Sequence, residues 1–381
     1  MEFSRLSIDK ASFISVLITR GIQVLIVRSP LRISFAGGGT DLPAYYENFG
    51  GAVLSSTINK YFYTVLSERR DGRIQITSSD SHIFESWHEI AAMNAIDSEL
   101  EIPVAVLKEL DEEVSIDLFL ASEIPPGTGL GSSASECTSI LKALTTYLNH
   151  PLSKYGLAER AFHITRDAVG RHVGRQDEFA TAFGGLNLIT FRPDGHTEVE
   201  RIDLRPRVLE DLQSSLMLFF TGSAQYSWTI LQEEEQKARH SAGPTIEALH
   251  EVHAVVERMV PVLKSGDLDH FGALLDESWQ RKKRISAWIS NARIDYLYNV
   301  ARRNGALGGK ITGAGSGGFL LLYCVPDRQE DVRAALMEEG VTDMTFSFVT
   351  EGAQVMVNDS FIDADGHGSR HPAFHLISRY K

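Results

Sequence analysis

A chain of 381 residues, 43% apolar and 23% charged, carries enough apolar material for one large domain or two ordinary ones, and too much for a disordered segment. Its formal net charge of -13 excludes a general nucleic-acid binder, which needs basic surface for phosphate contacts, but not a small anion held by clustered N–H groups. Cys137 and Cys324 lie in apolar runs and read as buried free thiols of a reducing compartment, and the 13 histidines show no HExxH or paired Cys/His spacing, so no zinc site is expected.

The first apolar stretch, "ASFISVLITRGIQVLIV", is interrupted by Arg20, Gly21 and Gln23 and falls short of the roughly 18 to 20 apolar residues of a membrane span. No small-residue cleavage pattern follows it, so a cytoplasmic location is expected, with residues 1–22 as an extension before the folded part. "QVLIVRSPLRISF" (23–35) predicts a strand in which Pro30 marks an edge or a break. "KYFYTVLSERRDGRIQI" (60–76) predicts two strands joined by a hairpin at Asp71-Gly72. In "EVSIDLFLASE" (113–123), Val114, Ile116, Leu118 and Leu120 fall on one face of a strand that runs into a glycine-rich loop. The helix after that loop buries Ala134, Cys137, Ile140, Leu141, Leu144 and Leu148 as one stripe; Ser132 or Gly131 can cap it and Glu136 suits its positive end.

A second helix is predicted over 154–169 and a strand over 179–191. Beyond about residue 206 come a buried strand (215–220), a helical stretch (227–292) broken at Gly243-Pro244 and Ser265-Gly266, and a glycine-rich segment (305–318). A strand (319–325), a helix (328–339), a strand (344–350) and a loosely ordered polar tail complete the chain. Strands and helices mix without regular βαβ alternation, which predicts an α+β fold in two domains, 23–205 and 206–356, with 357–381 as the tail.

"PPGTGLGSSASE" (125–136) places three glycines on alternate positions directly before a helix. Glycine loses more conformational freedom on folding than any other residue, so three in five need a reason. A strand, a glycine loop and a helix start together make an anion site: the first-turn N–H groups lack partners, the dipole adds positive charge, and missing side chains let phosphate approach. No lysine completes a Walker loop, and GxGxG followed by two serines is not the dinucleotide fingerprint.

The string "PPGTGLGSSAS" resembles the central phosphate loop of the GHMP kinases, the family of galactokinase, homoserine kinase and mevalonate kinase. "PLRISFAGGGTDLP" (30–43) and "KITGAGSGGFLLLY" (310–323) resemble the family's N-terminal and C-terminal motifs, in the right order. The glycine triplet, "GRQDEFATAFGGLN" (174–187) and "ESWQRKKRIS" (277–286) resemble the bacterial heptose 7-phosphate kinases within it. The resemblance implies a two-domain α+β GHMP kinase fold with the active site in the inter-domain cleft, and ATP-dependent phosphorylation of the anomeric hydroxyl of a heptose 7-phosphate; a 1-kinase for another sugar such as fucose or galactose, and an inactive sugar-binding regulator of the same fold, are the alternatives. The implied cofactors are ATP and Mg²⁺.

Asp177 matches the family's catalytic aspartate, placed to accept the sugar hydroxyl's proton, against a structural reading as a cap. Arg32 stands at the cationic position of the first motif and would stabilise charge on the transferred group. The resemblance assigns Pro126, Gly127, Gly129, Leu130, Gly131, Ser132, Ser133 and Ala134 to ATP and phosphate binding, and Ser133 with Asp167 to the metal. Gly38, Gly39, Thr40 and Asp41 are expected on the sugar, and Gly313, Gly315 and Gly317 let backbone approach the phosphates or the first loop. A phosphate on the sugar would need cations, for which Lys282, Lys283 and Arg284 form one candidate cluster and Arg171 and Arg175 another. The expected partner is a small sugar or sugar phosphate, with no nucleic acid and no membrane; a homodimer stays open.

Overall fold

The computed structural model describes residues 24–94, 99–222, 227–239 and 243–358; the expected extension (1–22) and most of the polar tail lie outside them. β-Branched and aromatic residues make β1 (Val24–Ala36) a strand buried along its length apart from half-buried Arg28. Pro30 breaks the pairing rather than the strand. The register with β2 (Gly51–Glu68) jumps from Pro30↔Tyr61 to Leu31↔Ile58, because proline offers no N–H to the ladder. On the opposite edge, β12 (Gln354–Asn358) covers only Leu25–Arg28. Arg32 is thereby free to donate its backbone N–H to the Leu130 carbonyl at 2.9 Å, which ties the strand to the glycine loop.

The predicted hairpin at Asp71-Gly72 does not form. β5 (Ile116–Ser122) lies between β2 and β3 (Ile74–Ser78), antiparallel to the first and parallel to the second. Arg69 shows why: its guanidinium holds Asp71 across the turn and also reaches Asp117 of β5 at 2.8 Å, while its N–H donates to the Ser115 carbonyl. With β4 (Ile83–Trp87), β6 (Leu186–Phe191) and β7 (Thr197–Arg201), the first sheet runs β12-β1-β2-β5-β3-β4, and β6 and β7 extend from the first half of β2.

Helices α1 (Pro43–Phe49), α2 (Glu101–Leu110), α3 (Ser132–Tyr147), α4 (Lys154–His163) and α5 (Gln176–Phe183) accompany this sheet. The α3 stripe from Cys137 to Leu144 packs on β1 and β2, in one core with Leu25, Val27, Phe62 and Leu66, as its spacing predicts, while Leu148 at its end is only half-buried. Each such side chain removed from water contributes about 1.5–3 kcal/mol. The strand expected from residue 179 begins only at Leu186; Phe179, Ala180 and Ala182 are buried from a helix instead.

Helix α6 (Pro206–Ser214) leads to β8 (Leu216–Phe220), followed by α7 (Ser227–Ala238), α8 (Pro244–Ser265), α9 (Leu268–Lys282) and α10 (Ala292–Asn304). β9 (Gly308–Ile311), β10 (Phe319–Tyr323), α11 (Pro326–Glu338) and β11 (Thr342–Asp343) complete a second sheet ordered β11-β8-β10-β9. Residues 344–350 do not make the expected strand: Phe348 forms one bridge to Ile58, and the chain crosses back to place β12 on β1. The expected boundary at 356 therefore falls inside a strand of the first sheet. Leu31, Ile33 and Phe35 share one core with Val255, Met259, Leu274 and Leu321, so the two sheets are joined by continuous apolar packing. Cys137 and Cys324 are buried free thiols, and no helix among the described residues is long and apolar enough to cross a membrane.

Candidate active site

Gly127, Gly129 and Gly131 all take left-handed φ values, +74°, +82° and +79°. That conformation is open to glycine at little cost and explains the alternate spacing. Leu130 is fully buried between them and anchors the loop in the core. Gly131 stands at the start of α3 with no side-chain cap, so the first-turn N–H groups remain unmet. Ser132 Oγ is buried and has no partner, and Ser133 Oγ accepts from Arg171 Nη1 at 3.4 Å. Gly129 has a second constraint: a Cβ there would stand 2.4 Å from the Thr312 carbonyl oxygen, and one on Gly313 would stand 2.6 Å from Gly129 Cα. The two glycine motifs thus pack backbone against backbone. Gly315 makes the corresponding approach to Ile289, whereas Gly317 has no left-handed φ and does not line the cleft.

Arg32 and Asp177 meet at the lip of this loop. Nε donates to Oδ1 and Nη2 to Oδ2, both at 2.6 Å, while Nη1 donates to the Gly129 carbonyl at 2.6 Å. Arg32 is 3% exposed, so a charge-assisted bidentate pair fixes Asp177 while leaving its carboxylate at the cleft wall. Asp41 is held by fixed donors: Oδ1 accepts from the Gly39 N–H at 2.9 Å and Oδ2 from Gln176 Nε2 at 2.9 Å. Burial, then the Asp177 charge, raises its pKa above the ordinary value. Lys282 from α9 reaches in from the second half, with Nζ donating to the Gly313 carbonyl at 2.7 Å. The cleft is lined by Arg32, Asp41, Asp177 and Lys282 together with the glycine loop.

Several expected site residues are placed elsewhere. Thr40 Oγ1 is fully buried and donates to the Gly37 and Ala52 carbonyls, so its role is structural. Arg175 turns away from the cleft, pairs with Glu159 and the Gly195 carbonyl, and lies over the Phe162 ring. Lys283 bonds Asp295 and Arg284 bonds Glu251, both from the turn that follows the last residue of α9; of that cluster only Lys282 faces the cleft. Asp167 lies on a π-helical turn (Ile164–Ala168), contacts His163 at 2.7 Å, is more than half exposed, and lines a different surface groove from Ser133.

Other carboxylates, which sequence reasoning did not select, line the cleft. Glu136 follows Ser133 by three residues, which places both on one face of α3, and desolvation pushes it up to about 8 against the opposing Arg171 charge. Glu178 is 2% exposed with Oε2 unpartnered; burial and adjacent Asp177 push it up to about 8. Among the described residues no three His, Cys, Asp or Glu side chains form a metal cage. Ser133 with Glu136 fits a hard cation that keeps most of its ligands on phosphate and water, as Mg²⁺ does. An adjoining groove shares Ser132, Ser133 and Glu136 with the cleft and continues it past Asp80 and Ser81.

Residues 101–185 match the family described as GHMP kinases N terminal domain, and residues 259–342 that described as GHMP kinases C terminal. The chain is 31% identical over 337 residues to a protein named D-glycero-alpha-D-manno-heptose 7-phosphate kinase from Campylobacter jejuni, covering 87% of this chain and 99% of that one. A Thermotoga petrophila galactokinase is 24% identical over 82% of this chain and 93% of its own. A crystal structure described as a D-glycero-D-manno-heptose 1-phosphate kinase from Bacteroides thetaiotaomicron superposes with a TM-score of 0.74 at 30% identity, over 88% of this chain and 100% of that one. A Lactococcus lactis galactokinase complexed with galactose has the same fold, with a TM-score of 0.75 at 18% identity over 91% and 100%.

Proposed function

The chain belongs to the GHMP kinases, and from that premise we propose that it is a sugar kinase transferring the γ-phosphoryl group of ATP to the anomeric hydroxyl of D-glycero-D-manno-heptose 7-phosphate. The observation that carries this reading is the bidentate Arg32–Asp177 pair, bonded at once to the glycine loop through Gly129.

In the proposed step the sugar hydroxyl oxygen forms a bond to the γ-phosphorus, the bond from that phosphorus to the β-phosphate oxygen breaks, and the hydroxyl proton passes to Asp177. Such transfers need positioning and charge neutralisation more than covalent help. The unmet N–H groups of α3 and the Ser132 hydroxyl face the phosphates, Arg32 offsets charge growing on the transferred group, and Asp41 accepts from sugar hydroxyls. Mg²⁺, when bound beside Ser133 and Glu136, supplies neutralisation of phosphate oxygens. Lys282 is the cation on the sugar side.

A second reading, a kinase for a neutral sugar, draws support from one observation: Arg175, Lys283 and Arg284 are all turned away from the cleft. A panel of the heptose 7-phosphate, the unphosphorylated heptose, L-fucose and D-galactose, with products located by ³¹P NMR, separates the two. The first reading expects kcat/KM at least about tenfold higher for the phosphorylated sugar, the equivalent of one charge-assisted hydrogen bond. Preference for a plain sugar would establish the second, and no turnover of any sugar would sink both.

A further inference from the structure

Glu233, Glu234 and Glu235 follow one another on α7, and a helix sends three successive side chains in three directions. Glu233 accepts from Ser286 Oγ at 2.8 Å and pairs with Lys237, and Glu235 pairs with Arg166 at 2.6 Å and His172 at 2.8 Å. Glu234 points inward. It is fully buried, and neither carboxylate oxygen accepts a hydrogen bond. An isolated buried carboxylate is strongly disfavoured unless an opposite charge lies near.

That charge is Lys282, and the glycine triplet makes the room. A Cβ on Gly39 would lie 3.4 Å from Glu234 Oε2, and a Cβ on adjoining Gly38 would lie 3.3 Å from Lys282 Nζ. A carboxylate and an ammonium from the second half of the chain therefore rest against two neighbouring residues of the first half, in the space that side chains at 38 and 39 would fill. On the same helix, Trp228 and Leu231 line the cleft, and Glu234 continues that face at a spacing of three. One of the three ammonium donors goes to the Gly313 carbonyl.

We infer that Glu234 is a positioning residue, whose unpaired carboxylate holds Lys282 in its charged form against Gly38 and Gly39, so that the cleft presents a cation to an anionic or hydroxyl group of the sugar. The part concerning the sugar rests on the reading of the preceding section; the coupling of Glu234 to Lys282 does not. Burial pushes the Lys282 ammonium below its ordinary pKa, while Glu234 and then Asp41 hold it up; Arg32 opposes and Asp177 assists. Burial pushes Glu234 up to about 7, and Lys282 opposes that rise while Asp41 adds to it. Glu233 and Lys237 on α7 also face Glu234, and Lys310 of β9 faces Lys282.

The test is the titration of Lys282 in free protein carrying ¹³C-labelled lysine, its signal assigned by its loss in Lys282→Met. Glu234→Gln should lower the Lys282 pKa by about one unit or more, since a nearby opposite charge is worth that much. With the sugar that the wild type turns over, the same variant should raise sugar KM about ten- to a hundredfold, increasingly from pH 7 to 9, with ATP KM changed less than about twofold. In a Lys282→Met background Glu234→Gln should add nothing further. Glu234→Asp keeps the charge and should restore both readouts to near wild type; it also serves as the informative variant should the Gln protein fail to fold. An unchanged Lys282 titration in Glu234→Gln, or an Asp variant titrating as far from wild type as that Gln expectation, overturns the inference. The NMR arm reads the free protein, so failure of the sugar reading appears separately, as a wild type without turnover.

Discussion

Gln176, Asp177 and Glu178 open α5 in succession, and each meets a different part of the site. Gln176 donates to Asp41, Asp177 pairs with Arg32, and Glu178 is buried in the wall of the cleft. Asp177 was legible because its neighbours spell a family motif. Glu178 and Glu234 were not, since an acid in a charged helical run reads as solvated until packing shows which way it points. Arg32→Lys should lower kcat about ten- to a hundredfold with ATP KM changed less than about threefold, because an ammonium cannot hold both Asp177 oxygens and the Gly129 carbonyl at once; steady-state kinetics checks this. Glu178 has a pH consequence. Its folded pKa, about 8, lies above the ordinary value of 4.5, so the native state binds the extra proton and stability falls as pH rises from about 4.5 to 8. Glu178→Gln removes that loss: its Tm should match wild type near pH 4.5 and exceed it increasingly up to pH 8.5. A Tm difference independent of pH would show that the carboxyl is not buried as described.

At the scale of elements, both glycine motifs were legible as strings, but their mutual packing was not, because sequence spacing says nothing about which loops touch. Gly313 and Gly340 both take left-handed φ values, +67° and +77°, yet only at Gly313 would a Cβ strike backbone; around Gly340 nothing lies within 4 Å. Gly340→Ala should therefore cost about 1 kcal/mol, the conformational strain alone. Gly313→Ala should cost about 1–3 kcal/mol more and weaken ATP binding as the phosphate loop shifts, measured by denaturant unfolding and nucleotide titration. Equal costs would mean that the two motifs do not bear on each other. The missed hairpin has a related cause. The chain does bend at Asp71-Gly72, but pairing is decided by whichever strand satisfies the β2 edge, and β5 does so through contacts far away in sequence.

Over the whole molecule, the α+β class and the change of character after residue 206 were legible from the loss of alternation and the long helical run. The return of β12 to β1 was not, since five residues of strand carry no mark of their partner. The cleft depends on both halves: Asp41, Arg32 and Asp177 come from the first, Lys282 and Gly313 from the second. In a chain of net charge -13, a dianionic sugar must be held by such local cations. Lys282→Met should accordingly raise KM for the heptose 7-phosphate about ten- to a hundredfold, with ATP KM within about threefold of wild type. Equal loss of affinity for sugar and nucleotide would place Lys282 outside the sugar site.

The claim that phosphoryl transfer takes place beside Arg32 and Asp177 is tested most directly by rapid-quench single-turnover measurement of Asp177→Asn against wild type, with ATP and sugar both saturating. Asparagine keeps the shape and one acceptor oxygen but cannot take up the proton. The transfer rate should fall about 10²- to 10⁴-fold, the range for a positioned acid–base group, while ATP still binds with near wild-type affinity. A variant that transfers phosphate at more than about a third of the wild-type rate would contradict the account.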